Sequence, residues 1–278
     1  MRPARSAEPL TVIVTGGARG LGFEMAHALL EAGARVLITS TRRHAELLLA
    51  AEKLRQAVPG AEVETVVANA SNWADCELTA QTCLQRWGKI DGLVNNAGRG
   101  MREISDNFNL KPVHFWEASP EGLQEIVRAN VMSTMLMARA CLPHMVTQGF
   151  GRIVNLSTNS VTMTRRGFTP YGASKAAVEA MSMAWSSELS DLGVNVNVLL
   201  PGGATDTEFI PGEGSARKGA DGQLLSPRLM RKPIVWLMSH ECDSTGQRYI
   251  AKDWPDELPM ALGAEKANTA RGALPQIM

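Results

Sequence analysis

A tyrosine and a lysine four residues apart, Tyr171 and Lys175 in the segment YGASK, are the residues of this sequence best placed for proton transfer. That spacing puts both side chains on one face of a helix. Free tyrosine has a pKa of about 10, and a neighbouring ammonium group favours the phenolate and lowers that pKa. The pair therefore indicates general acid/base chemistry with Tyr171 as the proton carrier. Taken alone, the same residues also suit an ordinary helix start with a solvated lysine.

Three hydroxyl side chains precede the tyrosine, at Ser157, Thr158 and Ser160. A hydroxyl that donates to a developing alkoxide acts as an oxyanion donor. Because side chains alternate along a strand, Ser157 and Thr158 are expected to face opposite sides of the sheet. Ser160 is expected just beyond the strand.

Short apolar strands alternate with helical segments along the chain. Strands are predicted at 10–16, 34–40, 62–68, within 91–98, and at 151–158, 194–200 and 247–251. Helices are predicted at 22–33 and at about 43–57, 74–87, 121–148 and 171–191. This alternation predicts a parallel sheet that is buried on both faces. We expect one doubly wound Rossmann-type α/β domain over residues 1–278, with a seven-stranded parallel sheet and helices on both faces.

A glycine-rich turn, VTGGARGLG at residues 14–22, connects the first strand to the first helix. Gly16, Gly20 and Gly22 permit a tight turn and a close approach to a pyrophosphate, and the helix N-terminus favours an anion. A plain strand–helix turn is the alternative. In this context the motif predicts a dinucleotide site.

The end of the second strand indicates which dinucleotide binds. Ser40 lies where NAD sites tend to carry an acid, and Arg42 and Arg43 follow it, while Arg19 lies inside the glycine turn. Arginine pairs with a ribose 2′-phosphate, which a carboxylate would repel. We therefore favour NADP(H) over NAD(H). The alternative is that Arg42 and Arg43 only flank a solvated helix start.

Composition excludes several other classes of function. The 28 basic and 28 acidic residues balance, so no basic excess predicts nucleic-acid binding. The four cysteines are scattered without a CxxC pair, which makes a metal site and a disulfide framework unexpected. No apolar run is long enough to span a bilayer, and the first ten residues lack the apolar core of a secretory signal. We expect a cytoplasmic protein that acts on a small molecule.

Several motifs in order resemble the short-chain dehydrogenase/reductase family, in particular its 3-oxoacyl-carrier-protein reductase-like branch. They are TGGARGLG, NNAG at 95–98, the asparagine in IVRANVMS, YGASK and PGG at 201–203. The resemblance covers roughly residues 9–252. It implies interconversion of a carbonyl and an alcohol with NAD(P), and a lid that follows the proline-glycine turn, at about 202–227. The tail from about Trp254 to 278 lies beyond it and lacks regular periodicity.

The resemblance also implies which residues form the site. The family's catalytic serine normally lies thirteen residues before the tyrosine, where this chain has Thr158. We favour Thr158 in that role and keep Ser160 as the alternative. A third possibility is that Thr158 is only a strand residue and the site is impaired. The catalytic set is then Asn130, Thr158, Tyr171 and Lys175. Expected cofactor contacts are Gly16, Arg19, Gly20, Leu21, Gly22, Ser40, Arg42, Arg43, Asn69, Ala70, Asn96, Ala97, Gly98, Tyr171, Lys175, Pro201, Gly202 and Thr205.

Two long segments are expected to carry substrate recognition, 99–121 and the lid. The first contains Phe108, His114, Phe115 and Trp116, which either line a pocket rim or pack the segment onto the sheet. Arg165 and Arg166 either face an anionic substrate or, as we favour, are solvated. The family usually forms homo-oligomers, dimers or tetramers. A non-catalytic dinucleotide-binding sensor or scaffold is the alternative function.

Overall fold

The computed structural model describes residues 8–41, 44–212, 217–219 and 222–269. Within these ranges, one parallel sheet has the strand order β3-β2-β1-β4-β5-β6-β7. The strands are β1 Thr11–Val14, β2 Arg35–Ser40, β3 Val63–Val67, β4 Gly92–Asn95, β5 Gly151–Leu156, β6 Val194–Leu200 and β7 Arg248–Ile250. The predicted doubly wound, seven-stranded sheet is confirmed.

Helices cover both faces of the sheet because alternate strand residues point in opposite directions. Val12 and Val14 pack into one buried cluster, whereas Ile13 packs into the other. The main helices are α1 Gly20–Glu31, α2 His44–Ala57, α3 Trp73–Trp87, α4 Pro120–Val127, α5 Ser133–Gln148, α6 Ser160–Met163, α7 Thr169–Glu188, α8 Arg231–Met238 and α9 Met260–Ala267. Of the helices in the described ranges, none is long and apolar enough to cross a membrane.

The long helix predicted at 121–148 is interrupted. A π-helical turn, Arg128–Met132, separates α4 from α5. Asn130 lies in this turn, fully buried, and its side chain bonds to groups outside the helix. A single π-turn inside an otherwise helical segment is short, and periodicity over the whole segment therefore predicted a continuous helix.

Three short helices, α6, α8 and α9, were not predicted, and α9 corrects the expectation that the tail from about Trp254 lacks regular periodicity. Helix α8 is held to α1 by an ion pair between Arg231 and Glu24, with a nitrogen–oxygen distance of 2.6 Å. Helix α9 lies within the tail and packs against Trp254, where a side chain at Gly263 would overlap the indole. Helices this short depend on tertiary contacts that the local sequence does not display.

The strand order brings the functional segments to one edge of the sheet. In parallel sheets, ligands bind outside the carboxyl ends of the strands where the order reverses, here between β1 and β4. The glycine turn follows β1 and NNAG follows β4, while Thr158 and the proline-glycine turn follow β5 and β6. The fold therefore gathers these segments on the same side.

A buried ion pair fixes the end of β5. The Glu179 carboxylate on α7 accepts hydrogen bonds from the Ser157 hydroxyl at 2.6 Å and from Arg248 Nε at 3.0 Å. Arg248 on β7 also donates through Nη2 to the Thr158 carbonyl oxygen at 2.9 Å. One carboxylate thus ties α7, β5 and β7 together beside Thr158.

We expect Glu179→Gln to lower the free energy of unfolding by about 3 kcal/mol, because it leaves Arg248 without its countercharge in a largely buried position. Urea denaturation followed by circular dichroism measures the change. The control is Glu188→Gln at an exposed position of the same helix, which should stay within about 0.5 kcal/mol of the parent. Equal unfolding midpoints for the two variants would contradict the role given to Glu179.

Candidate active site

A cavity of about 1110 Å³ opens at the carboxyl edge of the sheet. It exceeds the roughly 300–1,000 Å³ typical of small-molecule sites, so a dinucleotide and a small substrate would both fit. Its wall combines the glycine turn, the segments after β4, β5 and β6, the start of α7 and part of the lid. All four expected catalytic residues line it: Asn130, Thr158, Tyr171 and Lys175.

The tyrosine, the threonine and the lysine lie together in this cavity. A hydrogen bond joins the Thr158 hydroxyl and the Tyr171 phenol. Lys175 Nζ lies 6.0 Å from the centre of the tyrosine ring and donates to the Leu156 carbonyl oxygen at 2.9 Å. The arrangement provides a phenol, a second hydroxyl and an ammonium group around one point.

The other two hydroxyls have different surroundings. Ser157 is buried and its hydroxyl donates to Glu179 at 2.6 Å, although the residue also belongs to the cavity wall. Ser160 is exposed at the start of α6, and among the described residues it is not part of the cavity wall. The geometry therefore favours Thr158 over Ser160 as the partner of Tyr171.

Burial controls the ionisation of both acid/base groups. Loss of hydration raises the pKa of Tyr171 to about 12, although the hydrogen bond from Thr158 opposes this rise. Burial lowers the pKa of Lys175 to about 8, against the nearby Glu179 charge, which raises it. The sequence had suggested a lowered tyrosine pKa. In the structure, the loss of hydration raises the tyrosine pKa by more than the neighbouring groups of the chain lower it.

Asn130 joins the segment after β4 to helix α7. Its Oδ1 accepts from the Arg99 amide at 2.8 Å, and its Nδ2 donates to the Arg99 carbonyl at 3.0 Å and to the Ser174 hydroxyl at 2.8 Å. The Ser174 hydroxyl donates in turn to the Tyr171 carbonyl at 2.7 Å. The side chain of Asn130 thus fixes the start of the helix that carries Tyr171 and Lys175.

The glycine turn is shaped for close approach. Gly16 and Gly20 adopt φ angles of 64° and 54°, in the left-handed region that favours glycine. A Cβ on Gly22 would lie 2.3 Å from the Gly16 carbonyl oxygen, so α1 packs directly on the turn. Asn96 Nδ2 donates to the Thr15 and Gly16 carbonyl oxygens at 2.9 and 3.1 Å and holds the turn to the end of β4.

These features fit a dinucleotide. The Arg19 side chain does not cap α1, which leaves the first amides of that helix available to an anion beside the cavity. Most of the expected contact residues line the cavity: Gly16, Arg19, Gly20, Leu21, Asn96, Ala97, Gly98, Tyr171, Lys175, Pro201, Gly202 and Thr205. Gly22 lies behind the turn and permits its packing.

Other expected contacts lie apart from this cavity. Ser40, Asn69 and Ala70 follow or end the neighbouring strands, and within the described ranges none of them belongs to the cavity wall. The Asn69 side chain accepts hydrogen bonds from the backbone and hydroxyl of Ser71. Arg42 and Arg43 lie outside the described residues.

The lid contacts the turn through charged groups. Arg19 pairs with Glu208, and Arg102 donates to the Glu208 carbonyl oxygen at 2.9 Å. Arg217 pairs with Asp206 at 2.8 Å. Within the lid, Thr205 forms a parallel bridge with Leu225. The described part of the segment predicted as a lid therefore contacts the glycine turn through Glu208.

Sequence reasoning missed or left open three residues of the cavity wall. Phe209 of the lid lies 5.8 Å from Tyr171, ring centre to ring centre. Arg165 lines the cavity, contrary to the solvated position favoured above, whereas Arg166 is exposed. Phe108 packs edge-on against Phe168 at 5.6 Å and is buried, while Phe115 and Trp116 remain exposed. The segment 99–121 thus contributes both to the pocket and to the surface.

Comparisons with known proteins agree with this geometry. The short chain dehydrogenase family matches residues 10–217. A 1,6-dihydroxycyclohexa-2,4-diene-1-carboxylate dehydrogenase of Pseudomonas putida is 30% identical over 94% of this chain and 88% of its own. An NADP-dependent 3-hydroxy acid dehydrogenase of Salmonella typhi is 32% identical over 72% and 75%, respectively. The crystal structure of a dehydrogenase/reductase from Sinorhizobium meliloti 1021 superposes with a TM-score of 0.73 at 24% identity, covering 87% of this chain and 93% of that one.

The raised tyrosine pKa leads to a direct optical test. The chain has two tyrosines, Tyr171 and Tyr249, and burial raises the pKa of each to about 12. At about pH 10, where free tyrosine is about half ionised, Tyr249→Phe should show less than about a tenth of the possible phenolate absorbance. The same variant unfolded in urea is the reference. Half-ionisation of the folded variant at or below pH 10 would contradict a buried, protonated Tyr171.

Proposed function

This chain belongs to the short chain dehydrogenase family, and we propose that it interconverts a carbonyl and an alcohol by hydride transfer with NADP(H), using Tyr171 as general acid and base. Membership makes it an NAD(P)-dependent oxidoreductase. The observation that carries the finer proposal is the hydrogen bond between Thr158 and Tyr171 in the cavity that also holds Lys175.

Bound NADP(H) supplies the hydride in reduction and accepts it in oxidation. In the reducing direction, Tyr171 donates its proton to the carbonyl oxygen as negative charge develops there. The Thr158 hydroxyl donates to the same oxygen and stabilises that charge. A pKa of about 12 keeps the phenol protonated at neutral pH, which is the form that carbonyl reduction requires. Lys175 contributes positive charge beside the phenolate that remains.

The residues that would hold the cofactor follow from the cavity wall. The amides at the start of α1 would bind the pyrophosphate. The close packing at Gly98, where a Cβ would lie 2.7 Å from Asn130 Oδ1, keeps the floor beside Lys175 free of side chains. Lys175 and the segment after β6 would face the nicotinamide half.

We favour NADP(H) because of Arg19. Its present partner, Glu208, is two-thirds exposed, and exposed ion pairs contribute little to stability. A ribose 2′-phosphate could therefore replace the carboxylate at little cost. The relative from Salmonella typhi is named as NADP-dependent, which supports the same cofactor preference.

Both relatives described above are named for small hydroxylated acids. We propose that the substrate here is a hydroxy or oxo compound of similar size. We also propose a homo-oligomer that buries the outer face of α5 and the π-turn before it, where Met132 and Met135 are about 40% exposed.

The roles of the three hydroxyls can be separated by substitution. We expect Thr158→Ala to reduce kcat roughly 100-fold, as loss of one oxyanion donor does. Thr158→Ser should retain most activity, and Ser160→Ala should stay within about twofold of the parent because Ser160 is exposed. Tyr171→Phe should abolish turnover and keep cofactor affinity. Turnover is measured from NADPH absorbance with a panel of carbonyl compounds, and affinity from NADPH fluorescence.

Two outcomes would overturn these assignments. A larger loss in Ser160→Ala than in Thr158→Ala would transfer the donor role to Ser160. Unchanged turnover in Tyr171→Phe would remove the tyrosine from the chemistry altogether.

Cofactor preference provides a separate prediction. Loss of a charge-assisted bond worth about 1.5 kcal/mol should weaken NADPH binding roughly tenfold in Arg19→Gln. NADH binding should change less than about twofold, since that cofactor lacks the 2′-phosphate. The control is Arg86→Gln, an exposed arginine on α3 that pairs with Glu64. Equal weakening of NADPH and NADH would show that Arg19 does not contact the 2′-phosphate.

A further inference from the structure

Arg165 is one of the charged residues that line the cavity. It belongs to the loop between α6 and α7, five residues after the start of α6 and six before Tyr171. Its guanidinium carbon is 4.8 Å from the centre of the Phe168 ring, and the residue is half-buried in the cavity wall. Its neighbour Arg166 is exposed and does not line the cavity within the described ranges.

Most other charged groups of the cavity wall already have a partner. The pairs are Arg19 with Glu208, Arg217 with Asp206, Glu24 with Arg231, and Arg99 with Glu103 and Glu125. In the part of the chain that the structure describes, Arg165 has no carboxylate within ion-pair distance, and its charged group contacts the face of Phe168. Lys252 also lacks a carboxylate there, but it is exposed and packs beside Gly202 after β6.

The ring that Arg165 contacts belongs to an apolar part of the structure. Phe168 belongs to a buried cluster with Met101, Phe108 and Ile126, and Tyr171 packs against this cluster. Phe209 closes the cavity from the lid side. A cation that is partly removed from solvent, as Arg165 is, attracts an anion more strongly than one at the open surface.

We propose that Arg165 binds the carboxylate of a compact hydroxy or oxo acid and that the aromatic cluster contacts its apolar body. This inference rests on the proposed function of the site, since Tyr171 must act on the same molecule. Arginine suits the role because its planar fork matches a carboxylate with two parallel hydrogen bonds. Contact with Phe168 fixes the plane of the guanidinium before the substrate enters, which reduces the entropy lost on binding.

The first test compares acids with their neutral esters. The probes are 3-hydroxybutanoate and 3-hydroxycyclohexanecarboxylate, each with its methyl ester, oxidised with NADP⁺. Arg165→Gln should raise KM for the acids about tenfold and leave KM for the esters unchanged. Arg165→Lys should recover part of the loss, since it keeps the charge without the fork. Arg166→Gln is the matched control and should behave as the parent. Equal changes for acid and ester would overturn the proposal.

The second test does not depend on turnover. Benzoate and the neutral benzamide are titrated calorimetrically into the parent, Arg165→Gln and Arg166→Gln. The parent should bind benzoate more tightly than benzamide, and only Arg165→Gln should remove that preference. Equal binding of the two probes, or an equal loss in Arg166→Gln, would overturn the carboxylate site. Failure of Tyr171→Phe to stop turnover would refute the proposed chemistry alone, so the two ideas fail by different results.

Discussion

The active-site floor depends on one buried carboxylate. Glu179 lies one helical turn after Lys175 and accepts hydrogen bonds from Ser157 and Arg248 at the same time. Through Arg248 it also holds the Thr158 carbonyl, so the backbone that presents the Thr158 hydroxyl is fixed from behind. A buried charge is costly unless it is fully paired, and here the pairing partners come from two strands. Because leaving that charge unpaired would be costly, α7 and the end of β5 are held in fixed positions relative to each other.

The same burial sets the chemistry of the proton carrier. Removing water raises the pKa of Tyr171 and lowers that of Lys175, so both groups are driven towards their neutral forms. Two hydrogen-bonding or charged neighbours act against this, Thr158 on the phenol and Glu179 on the ammonium. Two opposing effects therefore set the protonation state of Tyr171. Dehydration favours the protonated phenol, and the polar contacts favour its anion. A bound group with a positive charge beside the phenol would also favour the phenolate.

The sequence predicted the regular parts of this structure and the polar groups that follow local rules. All seven strands were recognised, because apolar runs bounded by glycine and polar residues are a strong signal. Strand alternation predicted opposite orientations for Ser157 and Thr158, but both residues follow the end of β5 and both belong to the cavity wall, although the Ser157 hydroxyl bonds to Glu179. The sequence did not predict the π-turn at Asn130, because this turn depends on hydrogen bonds to Arg99 and Ser174, which are distant in the sequence. Helix α9 and the inward position of Arg165 were missed for a different reason: each depends on packing against an aromatic side chain, Trp254 or Phe168, which apolar periodicity does not reveal.

The floor and the lid of the cavity are held by different kinds of interaction. Asn130 and Glu179 are nearly inaccessible to solvent, and each makes several short hydrogen bonds within the fold. The lid instead meets the glycine turn through Arg19 and Glu208, whose side chains are 42% and 67% exposed. Exposed pairs are screened by salt and contribute about 0–1 kcal/mol, whereas breaking a buried pair costs several times more. The contact between Glu208 and the glycine turn therefore breaks at a lower cost than the contacts of Asn130 and Glu179, as expected if the segment predicted as a lid moves when ligands enter.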